Sequence, residues 1–166
     1  EYARKGDIGK VKELALAQSD PEIKNGILSY SALNWRGGLN EAVEDAEMES
    51  FEALADLTEN EEIRVQVYRG VVGQSLLKKQ YDKARESAEK IRDEERREEE
   101  LQYIQRREKV DLIQKHIEEY ISQNETDSFT LAGIFDYVAE KESVPAEARE
   151  EREKLQEEVE KAVAKL

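Results

Sequence analysis

The chain has no cysteine, one histidine, one methionine, one tryptophan and two prolines in 166 residues. Each scarcity removes a class of chemistry. Without cysteine there are no disulfides and no thiolate–metal sites. One histidine cannot supply the paired Glu-x-x-His motifs of a di-metal bundle, and nucleophile–base pairs lose their commonest base. With so few prolines and only eight glycines, long helices can run without a break. No apolar run approaches the length of a membrane span or a secretory signal. The sequence opens at Glu1 and has its only methionine at position 48, as expected of a processed chain or a piece of a longer one.

What is present is charge. Charged residues make up 40% and hydrophobic residues 38%, with 40 acidic against 26 basic side chains and a net charge of −14. A field of that sign repels nucleic acid and anionic membrane and favours solubility. The shortage of apolar residues fits helices carrying one thin apolar stripe each, not a thick α/β core. These features are those of a cytoplasmic, acidic, all-α protein.

Three stretches are self-similar: "KGDIGKVKELA" (5–15), "RGGLNEAVEDA" (36–46) and "KKQYDKARESA" (78–88). Each has a turn-forming or polar pair followed by Ile8, Leu39 or Tyr81, then Val11, Ala42 or Ala84, then Ala15, Ala46 or Ala88. Spacings of three and four put these positions on one helical face, where small alanines admit a neighbouring helix. A second signal alternates with the first, in "DPEIK" (20–24), "NEEIR" (60–64) and "DEERR" (93–97). Asp20, Asn60 and Asp93 suit the N-cap, whose side-chain oxygen accepts from free backbone N–H groups. Pro21 suits a first helical position. The pattern predicts helices over about 8–18, 21–35, 39–58, 61–79, 82–91, 94–121, 128–142 and 145–166, with Glu1–Arg4 as the last turn of a preceding helix.

Gly6, Ile8, Val11, Ala15 and Pro21, then Gly37, Leu39, Ala42 and Ala46, then Tyr81, Ala84 and Ala88 resemble the turn glycine, opening residue, packing alanine and following Pro or Asp of tetratricopeptide-like α–α repeats. The resemblance covers about residues 1–105. It implies an all-α stack of antiparallel helix pairs, a TPR-like α-solenoid, with a C-terminal helical extension. It also implies that the first helix of each pair lines a groove. Lys24, Arg64 and Arg97, at one place in the three caps, would then form a cationic ladder toward a partner's carboxylates, with Tyr30, Tyr68 and Tyr103 supplying contact area. The alternative is an ordinary solvated first turn.

The remainder has another character. The long helix carries Val110, Ile113, Ile117, Tyr120 and Ile121 in one stripe, while Leu101 and Ile104 fall outside that register, which predicts a kink or two burial faces. "SQNETDS" (122–128) reads as a loop. Phe129, Leu131, Ile134, Phe135 and Val138 form a compact apolar helix. Pro145 is expected to open the last helix, whose seam is Ala148, Leu155, Val159, Ala162 and Leu166, interrupted by Arg152. Folding back as a hairpin on the neighbouring helix is the expected way to cover that seam; the alternative is self-association through this C-terminal helix. The expected domains are a repeat array over 1–121 and a C-terminal hairpin over 122–166 packed on it.

No residue pattern indicates catalysis, a metal or a cofactor. "WRGGLNEA" (35–42) lacks the G-x-x-x-x-G-K-[ST] and G-x-G-x-x-G spacings of phosphate loops and follows no strand, so it reads as a joint. The third copy manages with Gln80 at its joint. Trp35 is expected to pack at the hairpin end, with an exposed recognition anchor as the alternative. His116 stands in "QKHIEEY" with Ile113, not a glutamate, three residues before it, and reads as a solvated or hydrogen-bonded side chain. The doublets Lys78–Lys79, Arg96–Arg97 and Arg106–Arg107 lie among glutamates, where ion pairs four residues apart explain them more simply than phosphate contacts. The expected function is therefore that of a non-catalytic scaffold or adaptor presenting a helical-repeat groove to a peptide or helix of a protein partner. The alternatives are a regulatory subunit of a nucleic-acid-processing complex and an all-α enzyme with a carboxylate site.

Overall fold

A computed structural model describes residues 2–35, 42–123 and 130–165. Its described residues form eight α-helices and two 3-10 turns, with no strand among them. Gly37, Gly38 and Leu39 of the second joint, and Phe129 and Leu166 of the apolar stripes, lie outside the described residues. The chain divides into two compact units, Glu1–Gln105 and Arg106–Leu166.

The first unit begins with a 3-10 turn, Ala3–Lys5, followed by α1 (Ile8–Leu16), α2 (Pro21–Asn34), α3 (Asp45–Glu52), a 3-10 turn at Ala53–Leu57, α4 (Glu61–Leu77), α5 (Tyr81–Glu89) and the first part of α6 (Glu94–Gln123). The capping residues act as their chemistry dictates. Asp20 accepts from the Glu22 N–H at 2.8 Å, Asn60 from Ile63 at 3.3 Å and Asp93 from Arg96 at 3.0 Å, and Pro21 is the first residue of α2. Asp7 adds a fourth cap, accepting from Lys10.

Two joints of this unit share one geometry, which recurs later in the chain at Ser143 and Val144. Gly6 closes the opening turn in the left-handed region at φ 75°, and Asp7 N–H reaches back to Tyr2 C=O. Between α4 and α5 the left-handed residue is Lys79 (φ 55°), and Gln80 N–H reaches Ser75 C=O. Lys79, not Gln80, thus takes the conformation that glycine adopts most readily.

Helix α4 is the centre of this unit. Ile63, Val65, Val67, Tyr68, Val71, Val72 and Leu76 are buried around most of its circumference, and α2, α3 and α5 pack on it. Trp35 stacks on Phe51 with ring centroids 3.8 Å apart and planes within 9°, and its Nε1 donates to Glu47. The stack lies over Gly70, where an added Cβ would come within 2.8 Å of the Phe51 ring. Val72, Leu76, Ala84, Ala88 and Ile104 form a second cluster, the crossing expected from the third copy.

The middle copy behaves differently. A helix expected over 39–58 starts at Asp45, and Ala42 and Ala46 are exposed. The burying residues are Val43, Met48, Phe51, Leu54 and Ala55. Long-range side chains set this register: Gln74 Oε1 accepts from Val43 N–H at 3.0 Å, and Lys78 Nζ donates to Val43 C=O at 3.2 Å and to the Asp45 carboxylate. The backbone just before α3 is thereby satisfied without joining the helix.

In the second unit, Ile113 and Ile117 of α6 pack with Ile134, Val138 and Ala139 of α7 (Leu131–Lys141) and with Leu155, Val159 and Ala162 of α8 (Arg149–Val163). Ile104 and Ile113 thus belong to separate cores, so the long helix has two burial sites. The units divide at 105/106, whereas the expected domain boundary was 121/122, because Ile113 and Ile117 join the later helices. The α8 seam is covered within the chain by α7, and Arg152 lies over the Phe135 ring at 4.7 Å with Asp136 at 3.3 Å. Pro145 does not open α8. It starts a turn closed by Ala148 N–H on its carbonyl, and the helix begins at Arg149.

Candidate functional site: the α1–α2 groove

Helix α2 buries Leu28 and Ser31 toward the core. Ile23, Gly26, Tyr30 and Leu33, spaced three, four and three apart, share the opposite face. Ile23 is 53% exposed, Tyr30 51% and Leu33 68%. Beside them lies a groove of about 360 Å³, whose walls include Tyr2, Val11, Leu14, Ile23, Ile27 and Tyr30. Glu22 and Lys24 are the only charged residues among the fourteen of α2, in a chain that is 40% charged. The groove therefore offers apolar surface and almost no charge.

The cationic ladder does not assemble. Lys24 is partly exposed and lines a polar cleft with Asn25, Asp56, Thr58, Glu59 and Asn60. Arg64, expected on the groove, is only 8% exposed; it donates to Ala55 C=O at 2.8 Å and to the Tyr68 hydroxyl at 3.1 Å. The 3-10 turn before α4 leaves that carbonyl free, and a buried guanidinium is stable only when so paired. Tyr68 is interior as well; burial pushes its hydroxyl pKa upward, so it stays protonated. Arg97 is half-buried and donates to Ile91 C=O at 3.2 Å. Trp35 is a core residue of the stack and not an exposed anchor. Of the seven residues expected to meet a partner, Arg64, Tyr68 and Trp35 are inside, and Tyr30 alone lines the α1–α2 groove. Tyr103 is 46% exposed on α6.

Gly26, which lines the groove, and Leu33, exposed on the same helix, carry no motif of their own. Their signal is the low charge of "PEIKNGILSYSALN", together with a mid-helix glycine.

The charged side chains outside the groove pair with one another. Arg96 reaches Glu62, Arg92 reaches Glu59, and Arg69 reaches Glu99 and Glu100. The Arg96 and Arg69 pairs cross between α4 and α6, and Arg92–Glu59 joins the loops before them, where pairing four residues apart was expected. Lys78 holds Asp45, while Arg106 and Arg107 are exposed. His116 lies between Glu119 (Nδ1, 3.4 Å) and Glu142 (Nε2, 3.3 Å), hydrogen-bonded as expected of a lone histidine on a helix. Among the described residues no group of three His, Asp or Glu is arranged to hold a metal ion, and no helix is long and apolar enough to cross a membrane.

The chain matches no protein family, no characterised protein and no solved structure.

Proposed function

We propose that this protein is a non-catalytic interaction module, a scaffold or adaptor of the cytoplasm that binds a protein or peptide partner on the α1–α2 face. One observation carries the reading. A chain so poor in apolar residues leaves Ile23, Tyr30 and Leu33 exposed on one helix face beside a groove. Such a face is costly to expose to water and gains by being covered. The packing of α1 on α2 and of α4 on α5 supports a divergent tetratricopeptide-like stacking of helix pairs in the first unit. Binding would draw affinity from the apolar face, with the Tyr30 hydroxyl as a polar handle.

Affinity purification from the native cells, with the wild-type chain beside Ile23→Glu and Tyr30→Glu, tests the reading. A partner recovered with the wild type and lost with both variants, each still helical by circular dichroism, is the expected result. A partner set unchanged by both variants refutes it.

A further inference from the structure

The geometry points to a cationic amphipathic helix as the occupant of the α1–α2 groove. This inference rests on the proposed partner-binding role and names the chemistry of the partner.

The first support is Gly26. A glycine inside a helix is less favourable than alanine, so a packing reason is expected. Gly70 has one in the Phe51 ring at 2.8 Å from an added Cβ, and Gly133 has one in the Tyr120 hydroxyl at 2.6 Å. Gly26 has none: a Cβ there would meet nothing within 4 Å among the described residues. It lines the groove, between Ile23 and Tyr30. A missing side chain flanked by large apolar ones forms a hole, and a hole on a helix face admits a side chain of a second helix at close approach. The stripe of Ile23, Gly26, Tyr30 and Leu33 is the matching half of a helix–helix contact.

The second support is the distribution of charge. Residues 1–35, which form the groove, carry five Lys or Arg and five Asp or Glu. The rest of the same unit, residues 36–105, carries eleven basic and nineteen acidic side chains. A seated helix thus meets a neutral apolar floor on a unit that carries 16 basic against 24 acidic side chains, a net charge of −8. Positive charge on its outer faces is attracted, and an acidic helix is repelled. A second copy would bring its own net charge of −14 to the contact, which disfavours self-association there.

The test uses three labelled peptides of about four helical turns. One has a leucine stripe and lysine elsewhere, one the same stripe with glutamate elsewhere, and one the lysines with serine in place of the stripe. Each is titrated by fluorescence anisotropy against the full chain and against Gly26→Leu and Ile23→Ser. Both variants alter exposed positions, and circular dichroism checks that they remain folded. The leucine–lysine peptide is expected to bind saturably, about tenfold more tightly to the wild type than to either variant. It should also bind more tightly than the serine–lysine peptide.

Equal binding of the leucine–lysine peptide to wild type and variants would mean that the acidic surface alone holds it, and overturns the inference. Preference for the leucine–glutamate peptide overturns the charge assignment but leaves the partner-binding role standing. A concentration-dependent dimer abolished by Gly26→Leu makes a second copy the occupant and overturns the cationic helix. No peptide binding and no dimer overturns the inference; the purification with Ile23→Glu and Tyr30→Glu decides the partner-binding role separately.

Discussion

Helices α2 and α8 are opposites. In α8, ten of fifteen residues are charged; of its apolar residues Leu155, Val159 and Ala162 are buried and Val163 is partly buried. In α2, two of fourteen are charged, yet Ile23, Tyr30 and Leu33 remain in water. The apolar content of a helix therefore does not measure how much of it the fold covers. In α8 a narrow stripe is matched to one neighbouring surface, and the charges, such as the Arg149–Glu153 pair at 2.9 Å, occupy what is left. In α2 the stripe is wider than its neighbours can cover, and the excess forms the groove.

The largest effect is expected where this contrast is sharpest. Leu155→Ala removes a buried side chain and should cost about 2–5 kcal/mol in a urea melt. Leu33→Ala in α2 should stay within about 0.5 kcal/mol. Comparable losses at the two positions would show that the α2 face is covered after all.

Next comes the pair of alanines that the repeat pattern treats alike. Ala84 is fully buried and Ala46 exposed. Overpacking at Ala84→Leu should cost about 1–3 kcal/mol, and Ala46→Leu should be close to neutral. Equal penalties would restore the middle copy to the register of the other two.

Glycines give a smaller contrast with a sign change. Gly26→Ala gains helix propensity in open space and should stabilise by about 0.5–1 kcal/mol. Gly70→Ala has the same local gain but must displace the Phe51 ring, and should be net destabilising. Thermal denaturation of both variants checks the two signs, and a stabilised Gly70→Ala would mean that the Trp35–Phe51 stack gives way easily.

The smallest effect concerns pH. The Asp45 pKa is held below the usual carboxylate value, first by the hydrogen bond from Lys78 and then by the charge of Lys83, against an opposing effect of desolvation. A depressed folded-state pKa means that the unfolded chain takes up the proton first on acidification. The contribution is present above the unfolded-state value and is lost as pH falls through the lower folded one. Urea midpoints of Asp45→Asn should therefore decline less steeply than wild type across that acidic window; parallel curves would show that the Lys78 contact does not persist in solution.

Local chemistry was legible in the sequence, and long-range capture was not. Asp20, Asn60 and Asp93 could be read as caps because a cap depends on residues two or three positions away. The hairpin of α7 and α8 followed from two complementary stripes and a short connection. The middle copy was misread because Ala42 and Ala46 match the spacing, while the helix start is decided by Gln74 and Lys78, more than thirty positions later. Arg64 looked like a free cation for the same reason: its acceptor is Ala55 C=O, a group with no signature in the residue code. Tyr30 stood out in the sequence as an aromatic of α2, but the exposed face around it was visible only as a local shortage of charge.

The only tryptophan is stacked on Phe51 inside the first unit, and the second unit has none. Its indole emission is thus a reporter built into residues 1–105, while far-ultraviolet ellipticity sums the helices of both units. A denaturation followed by both signals measures cooperativity without a label. Coincident curves mean that the two units unfold as one, and separated curves give each its own midpoint.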